Sequence, residues 1–103
     1  ILVSAGFDPH WADNIAMMQV SITGFAQMAA ILKRLAQELC QGRLIFTLEG
    51  GYNLQVAASS VRAIFDVLLG NTEIIDPLGK LSQRKPGGFE EHIKRIKEIH
   101  RIM

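Results

Sequence analysis

Apolar and polar positions alternate along this chain in a way that marks out four elements before the pattern changes. Residues 1–5, "ILVSA", are apolar and partly β-branched, which predicts a strand covered on both faces. "GFDPHWADN" then gathers glycine, proline, aspartate and asparagine, as a long loop does. Phe25, Met28, Ala29, Leu32, Leu35, Ala36 and Leu39 recur at steps of three and four, so a helix with one buried face follows, with Thr23 as its expected N-cap. Gly42 stands where a left-handed glycine commonly ends such a helix.

Residues 43–49, "RLIFTLE", predict a second strand. Beyond Gly50 and Gly51, Asn53 can cap a helix whose apolar face is Leu54, Ala57, Ala58, Val61, Ile64, Phe65 and Leu68, and Gly70 ends it. Strand, helix, strand, helix in that order predicts a parallel α/β layer. Residues 71–88 are rich in turn formers and weak in periodicity, and read as a surface crossing. Residues 89–102 return to a helical pattern with Phe89, Ile93, Ile96 and His100 on one side. Glu90 with Lys94 and Glu91 with Arg95 are spaced as favourable pairs on the other. That charged face reads as solvated and leaves homo-oligomerisation open.

The chain has 103 residues, enough for one modest core, and its apolar share of 49% and charged share of 20% are those of a soluble globular protein. A formal net charge of +1 gives no electrostatic reason to expect nucleic acid or an anionic membrane. No apolar run approaches the roughly 20 residues that span a bilayer. Nor does the N-terminus read as a signal peptide. A single cysteine, Cys40, rules out an internal disulfide framework and fits a reducing compartment, the cytoplasm or, for a eukaryotic source, the nucleus. Because the chain opens at Ile1 inside a strand pattern, it is expected to be the C-terminal piece of a longer chain.

The chemistry concentrates where the two strands end. Ligands of open α/β sheets bind in the crevice beyond the carboxyl ends of the strands. Asp8 follows the first strand, and Gly50, Gly51 and Tyr52 follow the second. A carboxylate in such a crevice needs a cation or hydrogen bonds, and zinc accepts aspartate oxygen. Glycines let a ligand or a second backbone come close. A tyrosine hydroxyl, protonated at neutral pH, can donate to a developing oxyanion.

"VSAGFDPHWAD", then "SITGF", then "LEGGYNL" resembles the zinc-dependent histone deacetylase family, which includes acetoin-utilisation-type deacetylases and acetylpolyamine amidohydrolases. The "LEGGY" form is closer to the class II branch than to the "GGGGY" of class I. The resemblance covers about residues 1–70, and the terminal "IKRIKEIHRIM" is similar to the ends of bacterial members. It implies an arginase-like three-layer α/β fold with a central parallel sheet and zinc at the carboxyl ends of its strands. Asp8 matches the last of three zinc ligands. Tyr52 matches the tyrosine that hydrogen-bonds the substrate carbonyl and then the tetrahedral oxyanion. Gly50 and Gly51 match glycines beside the acyl-lysine channel, and Ile15 falls where the family places an apolar residue at the channel rim.

The implied reaction is hydrolysis of an acetyl amide, in acetyl-lysine or in an acetylated polyamine. The paired histidines that act as general acid and base, and the Asp-x-His pair that supplies the other zinc ligands, belong upstream in the family. None of them is in this chain, whose three histidines are His10, His92 and His100. One carboxylate does not hold a zinc, so the segment alone is expected to be inactive. "DNI" at residues 13–15 stands where the family often has "DPL", and Pro9 where alanine is common; both bear on the shape of the channel mouth. A non-catalytic interaction module of the same family is the alternative. The related arginase fold ranks low, because no "DxDxH"-like run appears.

Other residues carry milder expectations. His10 reads as a structural or hydrogen-bonding loop histidine rather than a ligand, and Asp13 as a residue that fixes the loop. Glu49 is either a group behind the site or the partner of Arg43 or another base. Cys40 is expected to be a small buried hydrophobe. Met17 and Met18 are expected in the core in preference to a channel wall, and His100 packed.

Overall fold

A computed structural model describes residues 1–82 and 88–103. Its elements are β1 (Leu2–Ala5), α1 (Ile22–Cys40), β2 (Ile45–Leu48), α2 (Leu54–Leu69) and α3 (Phe89–His100). The two strands pair in parallel, from Leu2 opposite Ile45 to Ala5 opposite Leu48. The expected strand–helix–strand–helix order and parallel layer are therefore present.

Helix α1 begins one turn-step earlier than its apolar pattern suggests. Ser21, not Thr23, is the N-cap: its Oγ accepts from the backbone N–H of Gly24 at 3.1 Å. A capping oxygen must reach an amide two or three residues on, and Thr23 already lies inside the first turn. Thr23 contributes instead by sharing a 2.9 Å hydrogen bond with Ser21 Oγ. At the other end the left-handed cap residue is Gln41 (φ 58°), and Gly42 continues in the same region (φ 77°). Asn53 caps α2 as expected, its Oδ1 accepting from Gln55 and Val56, and Gly70 (φ 89°) closes it. Lys33 Nζ donates to the carbonyls of Val67 and Leu68, placing a positive charge at the C-terminal end of α2.

The core lies between the two helices and the loop after β1. Phe7, Phe25, Ala29, Val56 and Ile64 form one cluster, and Ile22, Ala26 and Ala63 a second. Phe7 meets Phe25 edge to face, with ring centroids 5.2 Å apart. Small Ala26, Ala29 and Ala63 at the contact let α1 and α2 approach closely. Burying side chains of the size of Phe7 or Ile22 contributes about 1.5–3 kcal/mol each.

The apolar face read for α2 is only half of its apolar surface. Val56, Ser60, Ala63 and Ile64 are the residues buried on this helix, while Leu54 and Phe65 are exposed. Val61, Phe65 and Leu68 instead line an open apolar groove with Phe46 and Leu48 of β2. α2 is apolar on two sides, so a single-face reading picks one of them. On α1, Phe25, Ala29 and Ala36 are buried as expected, whereas Met28 and Leu39 are exposed. The strands also depart from expectation: Leu2 is 80% exposed and Leu48 66% exposed. A sheet of two strands leaves their outer side chains without neighbours.

Residues 71–82 are more than a surface crossing. Ile74 and Leu78 pack on the second core cluster, and Trp11 Nε1 donates to the carbonyl of Gly79 at 2.9 Å. Asp76 organises this strap: its Oδ1 accepts from Leu78 and Gly79, and its Oδ2 from the Thr23 amide at the start of α1. The last part of the expected crossing, residues 83–87, lies outside the described residues. α3 has the expected helical form but stands apart, exposed along its length, so His100 is not packed. Among the described residues the ion pairs are Arg34–Glu38 and Arg62–Asp66; Glu90–Lys94 and Glu91–Arg95 are not closed. Met17 and Met18 are exposed rather than in the core. Cys40 is partly exposed, its thiol donating to the carbonyl of Arg43.

Candidate functional site

The parallel ladder runs on past both strands and builds the site. Glu49 N–H donates to the carbonyl of Ala5 at 3.0 Å, and Phe7 N–H to that of Gly50 at 2.9 Å. Two consecutive bonds of this kind carry the chain of β1 across the end of β2. Asp8, the next residue, is thereby set over the backbone at Gly50. A Cβ built on Gly50 would lie 3.2 Å from Asp8 Cγ and 3.6 Å from Cε2 of Tyr52. Asp8, Gly50 and Tyr52, expected at the ends of two strands, thus meet beyond the carboxyl ends of the sheet. Gly51 has φ 137°, and a Cβ there would stand 3.2 Å from Phe7 Cβ. That glycine is required by backbone conformation, Gly50 by the neighbouring carboxylate.

Asp8 is partly buried, and among the described residues no hydrogen bond reaches its carboxylate, the donors of this region going to Asp13 and His10. An oxygen donor left without protein partners at a strand end is of the right class for zinc. No group of three or more His, Cys, Asp or Glu side chains able to hold a metal occurs among the described residues. The site therefore offers one fitting donor out of the three or four that such a centre uses.

His10 is fully buried in the loop. Its Nδ1 accepts from Ala12 N–H at 3.0 Å, and its ring stacks on Phe25 and Trp11. Burial pushes its pKa down, against the pull of Asp76 and Asp13, so the ring is neutral. Nε2 is buried with no partner among the described residues. The main chain at His10 pairs with Val20 as an isolated bridge, which folds the long loop back onto itself.

Asp13 is buried and ties the two loops of the site together. Its Oδ2 accepts from the amides of Tyr52 (2.8 Å) and Asn53 (2.9 Å), and its Oδ1 from that of Ile15 (3.1 Å). Burial alone would raise its pKa, but the three backbone N–H donors outweigh it and hold the carboxyl below its usual range. Asn53 Nδ2 adds a return bond to the carbonyl of Ala12 at 3.0 Å. Ile15 and Tyr52, both largely exposed, face a hollow of ≈ 300 Å³ whose other walls are Ala12, Asp13, Asn14 and Asn53. Glu49 forms no ion pair with Arg43, whose Nε donates instead to the carbonyl of Cys40. Sequence reasoning missed the Asn53 arm and the Trp11–Gly79 strap; "DPLG" at residues 76–79 is the turn signal from which the strap was readable.

Comparison with known proteins identifies the family of this stretch. The family model described as "Histone deacetylase domain" matches residues 1–68. "Histone deacetylase 14, chloroplastic" of Arabidopsis thaliana is 41% identical over 103 residues, which is 97% of this chain and 24% of that protein. "Polyamine deacetylase HDAC10" of Mus musculus is 41% identical over 71 residues, covering 69% of this chain and 10% of its own length. The crystal structure of the HDA15 HD domain superposes with a TM-score of 0.69 at 28% identity, over 95% of this chain and 24% of that one. The chain thus spans about a quarter, or less, of the length of these relatives.

Proposed function

Because the chain belongs to the histone deacetylase domain family, we propose that it supplies one wall of the catalytic site of a zinc-dependent deacetylase. The reaction is hydrolysis of the amide of an acetyl-lysine or of an acetylated polyamine. The observation that carries this reading is the meeting of Asp8, Gly50 and Tyr52 beyond the ends of two parallel strands. The exposed side chains of Leu2, Ile45 and Leu48 support a further point: the segment is part of one larger domain that covers them.

Asp8 is the residue of this chain that would hold zinc, as one ligand of a set completed elsewhere in the domain. When bound, zinc supplies a Lewis acid for the acyl carbonyl and an acidified water. Tyr52 donates its phenol hydrogen to the carbonyl oxygen and, more strongly, to the oxyanion into which that oxygen develops. Gly50 and Gly51 form a bare floor along which the acyl chain can lie, and Ile15 gives the hollow an apolar rim. By itself the chain is inactive, since one carboxylate cannot retain the metal. A single free thiol, Cys40, fits a reducing compartment.

The test is zinc content and hydrolysis of an acetyl-lysine peptide by the complete domain that carries this chain. Asp8→Ala is expected to lose both metal and turnover. Tyr52→Phe is expected to keep the metal and lose roughly 10²–10³ in rate. A complete domain that is metal-free and inert overturns the enzyme reading in favour of a non-catalytic interaction module.

A further inference from the structure

Tyr52 is 66% exposed, and no side chain among the described residues hydrogen-bonds to its phenol. Its place over the site is therefore set through its own backbone. That backbone arrives from Gly50 and Gly51, the two residues least able to hold a conformation by themselves. Something outside the loop must fix it.

One side chain does so. Asp13 Oδ2 takes both amides at the turn into α2, those of Tyr52 at 2.8 Å and Asn53 at 2.9 Å. Its other oxygen takes Ile15 N–H, on the opposite rim of the hollow. The carboxylate is buried, carries its charge at neutral pH, and faces the positive end of α2, all of which strengthen the three bonds. Asn53 closes a second arm by donating to Ala12 while capping α2.

We infer that Asp13 is a positioning residue for Tyr52: through two backbone amides it fixes where the phenol hydroxyl stands relative to Asp8, and through a third it sets the rim at Ile15. The inference rests on the oxyanion role proposed for Tyr52. A donor displaced by about 1 Å loses on the order of 100-fold in rate, so the effect belongs in kcat rather than in KM or metal content.

The experiment is a double-mutant cycle in the complete domain, with hydrolysis of a fluorogenic acetyl-lysine peptide, zinc content and thermal unfolding measured for each variant. Asp13→Ala is expected to lower kcat roughly 100-fold at unchanged zinc and near-unchanged KM. Asp13→Asn, which keeps one acceptor and the shape, is expected to lose less. In a Tyr52→Phe background, neither Asp13 substitution is expected to lower kcat further. Equal losses in both backgrounds, a change confined to KM, loss of zinc, or failure of both Asp13 variants to fold each overturn the positioning role. Failure of the underlying reading looks different: Tyr52→Phe alone then retains normal kcat, and the inference falls with it.

Discussion

The carboxylate of Asp8 occupies the space that a side chain at Gly50 would need, with Asp8 Cγ 3.2 Å from the position of a Cβ there. The backbone at Gly50 is not in the left-handed region, so only this neighbour forbids a larger residue. Gly50→Ala is therefore expected to leave the fold intact and push the short Asp8 side chain aside. In the complete domain, zinc affinity should fall roughly 10–100-fold, the loss typical when a ligand's support is disturbed. Competition with a chelator measures it. Gly51→Ala is expected to act differently, through strain at φ 137° and contact with Phe7 Cβ, and to lower stability first. Unaltered zinc affinity in Gly50→Ala would separate Asp8 from the metal.

His10 offers a sharp contrast between a ligand and a packed ring. Replacing it by Phe removes one buried atom without a partner, Nε2, and creates another by stranding Ala12 N–H. The two effects oppose each other, so stability should change by no more than about 1 kcal/mol. Stacking on Phe25 and Trp11 is kept. Zinc content of the complete domain should be that of the wild type. Metal loss in His10→Phe would make the histidine a ligand after all.

Asp13 makes the chain sensitive to acid in a definite direction. Its folded-state pKa lies below the ordinary carboxyl value because backbone donors outweigh burial. The unfolded chain then binds protons more readily than the folded one. The stabilisation is thus complete above the unfolded pKa of about 4 and is lost as the pH falls through the folded value. Asp13→Asn should flatten that part of the stability profile, measured by urea unfolding between about pH 5 and pH 2. A profile as steep as that of the wild type would assign the acid sensitivity to other carboxylates.

The cap of α1 can be decided by two substitutions. Ser21→Ala removes the acceptor of Gly24 N–H and should cost about 1 kcal/mol. Thr23→Ala removes only a hydroxyl that leans on Ser21 Oγ and should cost less. Urea midpoints order the two, and the reverse order would return the cap to Thr23.

Local chemistry written in contiguous residues was legible from the chain alone. The alternation of strand and helix, the cap at Asn53, the end at Gly70 and the placing of Asp8 after one strand and of Gly50 and Tyr52 after the other depend on neighbours a few residues apart, whereas the meeting of the two strand ends needs the pairing of the strands. The family was legible too, because its motifs are short runs such as "LEGGYNL". What tertiary structure decided were choices among equivalent local options. α2 is apolar on two sides, and only its contact with α1 selects Val56, Ser60 and Ala63 as the buried set. Met17, Met18 and the outer residues of β1 and β2 are apolar enough for a core, but they are exposed among the described residues. Asp13 and Tyr52 are 39 residues apart, and no periodicity links them. Their bond exists because the two strands pair in one register, which brings the loop after β1 over the start of α2.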